Sequence, residues 1–176
     1  MSSWPVRTSG RATTAWSAGD GRGVGGARRT LGGMPSSRPP LPDDARCPCL
    51  SGDTYGACCG RHHADVRAGG AGAPTAETLM RSRYSAFAVG DAGYLLATWH
   101  PSTRPDVLDL DDDVEWRRLD VVRAVAGGPF DAEGVVEFVA HHRSRTDRAA
   151  RGTLHETSRF ARSGGRWVYV DGDVTG

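Results

Sequence analysis

The sequence predicts an α+β fold, with helices laid on one face of an antiparallel sheet. Two changes of period carry that reading. Apolar residues recur at helical spacing between about 75 and 100, then alternate with a period of two from Leu119 onward. A third observation adds a small appendage ahead of them: all four cysteines fall between positions 47 and 59.

The elements follow in order. Residues 1–46 hold eight of the 24 glycines and seven arginines against three acids, with no apolar periodicity and a proline-rich close from Pro35 to Pro42. Such a composition reads as a disordered tail. Gly21 to Gly26 matches G-x-G-x-x-G, but no strand pattern precedes it and no helix pattern follows, so it is not a nucleotide fingerprint. Met34 sits just before the first plausible structure and is the expected natural start.

Residues 47–63 form a cysteine-dense knot, and Gly69 to Ala73 a joint. The globular pattern spans 74–173. Thr75 is a good helix N-cap, with Glu77 in the first turn. Ala76, Met80, Tyr84 and Phe87 lie on one helix face, and Gly90 can end it. Asp91 can cap a second helix with the stripe Tyr94, Leu95, Thr98 and Trp99, stopped near Pro101.

The acidic run Asp106 to Glu115 imitates a calcium loop at Asp109, Asp111 and Asp113. It has Val114 where glycine is needed and Asp120 where a glutamate is usual, so it reads as a solvated loop. Beyond it, Leu119, Val121 and Val125 alternate, and Val135 to Ala140 reads as a buried strand. His141-His142, among arginines 143, 145 and 148, reads as an exposed hairpin tip. Leu154, Glu156, Ser158 and Phe160 share one face of a third strand, and Trp167, Tyr169 and Asp171 one face of a fourth. Ser163-Gly164-Gly165 joins the last two as a hairpin.

Composition narrows the chemistry. All 22 cations are arginine; Lys, Asn, Gln and Ile are absent. A lysine Schiff base and a P-loop lysine are therefore excluded, although the bias itself reads first as that of a GC-rich genome. A net charge of +1 argues against a nucleic-acid partner. No apolar run approaches the roughly 18 residues of a membrane span, and no apolar stretch follows Arg28-Arg29 as a secretion signal would require. The expected location is cytoplasmic.

The cysteine spacing is C-x-C-x8-C-C. Four soft thiolates in a tetrahedron make a closed structural zinc site, and the metal supplies folding energy that so short a segment lacks. Disulfides fit poorly, since one pairing joins the adjacent Cys58 and Cys59, and C-x-x-C is absent. The expected ligands are Cys47, Cys49, Cys58 and Cys59, with His62 or His63 as an alternative fourth ligand and solvent exposure as their other reading.

Cys47-Pro48-Cys49, Ser51-Gly52, Tyr55 and Cys58-Cys59 resemble the SEC-C zinc motif of the SecA translocation ATPase. Leu50 stands where that motif usually has glycine, and Asp53-Thr54 where SecA-type copies carry lysines, so the SecA partners are not implied. The stretches Leu79 to Phe87, Tyr94-Leu95 with Thr98 to Pro101, Glu156 to Phe160 and Trp167 to Gly172 resemble the YchJ family of small bacterial proteins. The resemblance covers about residues 45–173. It implies a nuclear-transport-factor-2-like domain, a helix-backed curved antiparallel sheet forming a cone. Some members carry a second SEC-C copy at the C-terminus; this sequence shows none.

A cone leaves a concave space of the kind that small ligands prefer. The candidate lining is Arg83, Tyr84, Trp99, His100, Glu156, Arg159, Trp167 and Asp171. Glu156 could serve as a base assisted by His100 or Tyr84. The competing reading is an internal network in which a buried Glu156 pairs with Arg83 or Arg159. No sequence motif names a reaction. Two functions follow: a zinc knot that docks a protein partner, or a ligand-binding or catalytic cone whose zinc is only structural.

Overall fold

The computed structural model describes residues 6–7 and 39–175. Met34 and the glycine run 21–26 lie outside them. The knot begins earlier than the cysteines. Tyr55 N–H donates to the Ala45 carbonyl and Gly56 N–H to that of Asp43, while Arg46 bridges Thr54. Residues 43–46 thus belong to the knot, and the tail boundary drawn at 46 falls inside it. A wide π turn, Gly56–Gly60, breaks at Cys58 and runs into α1 (Arg61–Arg67).

Helix α2 (Ala76–Val89) forms where its caps predict. Thr75 Oγ1 accepts from Thr78 N–H, and Gly90 closes the helix at φ 79°, a left-handed conformation that glycine adopts without a Cβ clash. Asp91 accepts from Tyr94 N–H and starts α3 (Ala92–Ala97). The chain leaving α3 lies along the sheet edge, with Tyr169 N–H donating to Thr98 and His100 N–H to Tyr169.

A two-residue strand β1 (Val6–Arg7) pairs antiparallel with β2 (Asp109–Leu110). The main sheet is the meander β3 (Val114–Ala126), β4 (Glu133–Ser144), β5 (Arg151–Ser163) and β6 (Arg166–Val174), in that order. One face packs on α2: Val136, Phe138, Ala140, Leu154, Phe160 and Tyr169 join Leu79, Met80 and Phe87 in a single core. Alternation on β5 is regular, with Leu154, Glu156, Ser158 and Phe160 all buried. Gly164 and Gly165, both at positive φ, make the final hairpin.

Three irregularities redirect side chains. Bulges in β3 after Trp116 and after Val121 end its simple alternation, leaving Val122 and Val125 exposed. A bulge at Val170 on β6 shifts the register, so Arg159 opposes Asp171 whereas Phe160 opposes Tyr169. His141 and His142 lie within β4, and the β4–β5 tip falls at Arg145–Ala150; the expectation that the two histidines form the tip is corrected. Among the described residues, no helix is long and apolar enough to cross a membrane.

Candidate metal centre

The knot brings four sulfurs together because its backbone folds back on itself. Cys47 N–H donates to the Asp53 carbonyl and Leu50 N–H to that of Cys47, which curls the first pair around a tight turn. The turn at Ser51-Gly52 then returns the chain, and the Gly56–Gly60 turn presents the second pair. The sulfurs of Cys47, Cys49, Cys58 and Cys59 lie within 4.8 Å of one another. Neighbouring separations are 3.4 Å (Cys49–Cys47), 3.6 Å (Cys49–Cys58) and 3.8 Å (Cys58–Cys59). A tetrahedron of thiolates at about 2.3 Å from one ion has edges of about 3.8 Å, so the set fits a single metal. All four thiols are free.

Electrostatics give the cluster a reason to take a cation. The Cys47 thiol is held far below its ordinary range, first because Cys49 and then Cys59 donate to its thiolate. The same contacts push Cys49 up to about 11 and raise Cys59 further, with burial adding to both. Thiolates this close to one another repel. A divalent ion at the centre removes that conflict, since coordinated thiols ionise outright.

Neither histidine joins the sulfurs. His63 is buried; its Nδ1 is 2.8 Å from Tyr55 Oη and its Nε2 is 2.9 Å from the Ser82 carbonyl. It also packs on the Tyr94 ring at 4.2 Å. Both ring nitrogens are engaged, so the expectation of a histidine fourth ligand is corrected, and so is that of solvent exposure. Burial holds His63 and His62 below the ordinary histidine range. His63 instead ties knot to helices, and Cys47 Sγ approaches Ser85 of α2 at 3.8 Å.

Under α2 lies a second polar group. Glu156 is fully buried, and its Oε1 accepts from Ser158 Oγ at 2.6 Å and Tyr169 Oη at 3.1 Å. Arg83 is buried between the rings of Trp99 and Tyr169, at 5.0 and 4.5 Å, and donates to the Leu95 carbonyl and Thr98 Oγ1. Burial pulls Arg83 down to about 10, so it stays charged at neutral pH. Gly172 faces Glu156 so closely that a Cβ would stand 2.2 Å from Oε1.

Residues 75–172 match the middle NTF2-like domain of YchJ, and residues 45–61 match the SEC-C motif. A UPF0225 protein of Corynebacterium efficiens is 53% identical over 135 residues, covering 77% of this chain and 98% of that protein. The chain belongs to the YchJ family. A UPF0225 protein of Streptomyces coelicolor is 50% identical over 72% of this chain and 94% of its own length. Among solved structures, a SEC-C motif containing protein from Rhodopseudomonas palustris is similar with a TM-score of 0.60 at 34% identity, over 74% of this chain and 98% of that one. Another from Psychrobacter arcticus has a TM-score of 0.60 at 26% identity, over 76% and 85% of the two chains.

In this YchJ-family chain the cone interior is filled by its own side chains. Arg83, Tyr84, Trp99 and Glu156 are all buried there. Tyr84 meets the edge of Trp116 at 5.9 Å, and burial raises its hydroxyl. Four other candidates stand elsewhere. The Val170 bulge turns Asp171 outward, where it pairs with Arg159 at 2.5 Å; Asp173 binds the same guanidinium. By the regular alternation of β5, Arg159 is on the face opposite Glu156 and is not its partner. His100 lies at the surface with Nδ1 on Ser102 Oγ at 2.6 Å. Trp167 closes the core at the joint, donating from Nε1 to the Pro74 carbonyl, with Arg162 over its ring. The partners of Glu156 that were not singled out are Ser158, two residues along the same strand, and Tyr169 across from Phe160. Inward alternation on β5 and β6 was the available signal.

Proposed function

We propose that the knot holds one structural Zn2+ through Cys47, Cys49, Cys58 and Cys59, and that the metal-closed knot docks a protein partner. The carrying observation is the shape of the knot. Its sulfurs face α2 while residues 50–54 are exposed, with Leu50 at the turn. Leu50 sits at φ 58°, which explains why the motif favours glycine at this position: a Cβ there is strained by about 1–2 kcal/mol. A leucine kept in a strained, 41%-exposed position is better suited to contact than to folding. We further place the chain in the cytoplasm, where thiols stay reduced, with residues 47–63 as knot and 74–173 as the conical domain.

Support for chemistry in the cone is weaker, because Glu156 Oε1 already accepts from Ser158 and Tyr169 and Arg83 is enclosed by two rings. Metal analysis of protein purified without tags should find about one zinc per chain. Leu50→Gly should leave stability equal or higher, by up to about 1 kcal/mol, and should lose the proteins that the wild type captures from its native host. A captured set unchanged by both Leu50→Gly and chelation would remove the docking reading. A metal-free chain with a fully folded knot would remove the zinc.

A further inference from the structure

The sheet carries an arginine array that the knot does not use. An open depression of about 580 Å3 is lined by Arg117, Arg118, His141, His142, Arg143 and Arg151. The register builds it. Glu115 opposes Arg143, and Arg143 opposes Arg151, so these three side chains form one row across β3, β4 and β5. Arg118 opposes His141 two residues further along β4, which places the second row about 7 Å away on the same face. The β3 bulge adds Arg117, whose guanidinium reaches back to Glu115 at 2.8 Å.

The array is not neutralised from within. Glu115 holds Arg117 and Arg143, and Asp120 holds Arg118 and His141. Four guanidinium groups therefore face two carboxylates, an excess of two positive charges. Arg151 makes no ion pair among the described residues and stands directly opposite Arg143. Like charges directly opposed across strands destabilise a sheet, so this pair is a cost to folding. Arginine forks match phosphate oxygens two at a time, and the depression has the volume of a small-molecule site rather than a long channel.

The geometry points to a binding site for a small phosphate ester carrying at least two negative charges, held between Arg143 and Arg151 with Arg117 and Arg118 at its rim. Glu115 and Asp120 fix the neighbouring forks before the ligand arrives, and Arg151 is the group the anion completes.

Calorimetric titration of the metal-loaded full chain with inorganic pyrophosphate at low salt tests it. Wild type should bind with a dissociation constant below about 1 mM, and Arg151→Ala should weaken this at least tenfold. Arg151 has no ion-pair partner to lose among the described residues, so the variant's melting temperature should hold or rise; Arg104→Ala, away from the depression, should bind as wild type. Absence of binding, or equal binding by Arg151→Ala, overturns the site. A single-stranded oligodeoxynucleotide that binds through the same arginines more tightly than pyrophosphate also overturns it, in favour of a polynucleotide ligand.

Discussion

The knot and the cone interior are both polar and both buried, yet they resolve that problem in opposite ways. In the interior, Glu156 Oε1 and Arg83 are held by fixed neighbours: Ser158, Tyr169, Thr98, a carbonyl and two aromatic faces. Every partner comes from the chain. In the knot, four sulfurs face one another, and among the described residues no cationic side chain bonds to them. The lesson is that buried polarity can complete a fold or wait for a ligand, and the partner list distinguishes the two. The arginine array follows the knot's logic with the signs reversed.

The largest test of this contrast is Cys59→Ser. Losing a buried ligand should release the metal and unfold the knot, forfeiting much of a binding energy of about 10 kcal/mol or more. Hydrogen exchange should rise over residues 43–67 and change far less in β4 and β5. A knot that stays protected in Cys59→Ser, or in chelator, would erase the distinction between the two regions.

The interior should respond in the opposite manner. Glu156→Ala should cost about 1–3 kcal/mol in denaturant unfolding, because it strands the buried Ser158 and Tyr169 hydroxyls. The cost should be the same with and without metal. Gly172→Ala should cost about 1–3 kcal/mol by pressing a methyl on Glu156. A metal-dependent cost for either variant would mean that the two regions are one unit.

His63 joins them, touching Tyr55 of the knot, Ser82 of α2 and Tyr94 of α3, and it gives the smallest effect. Its folded pKa is lowered, chiefly by burial, below the ordinary value of 6.5. The folded state therefore resists protonation. Stability from this group is intact above about pH 6.5 and declines as pH falls toward the folded value. NMR titration of the His63 ring should show a midpoint clearly below 6.5, and a midpoint at or above it would place the ring in solvent or beside a net negative charge.

Much was legible from local pattern. The spacing C-x-C-x8-C-C, the caps at Thr75, Gly90 and Asp91, the inward run Leu154 to Phe160 and the glycine hairpin are each set by residues a few positions apart. Such features depend on backbone conformation and on periodicity, which neighbours dictate. They located the four clustered cysteines and the order of elements. Tertiary structure decided what faces what. A single bulge at Val170 turned Asp171 from the core to the surface, where it meets Arg159, because inserting one residue inverts every side chain beyond it on that strand. Register alone set Arg143 against Arg151, and packing of α2 on the knot buried His62 and His63 away from the sulfurs. Those outcomes depend on partners 8 to nearly 100 residues away, as in the Cys47–Ser85 and Trp167–Pro74 contacts, and no local pattern encodes them.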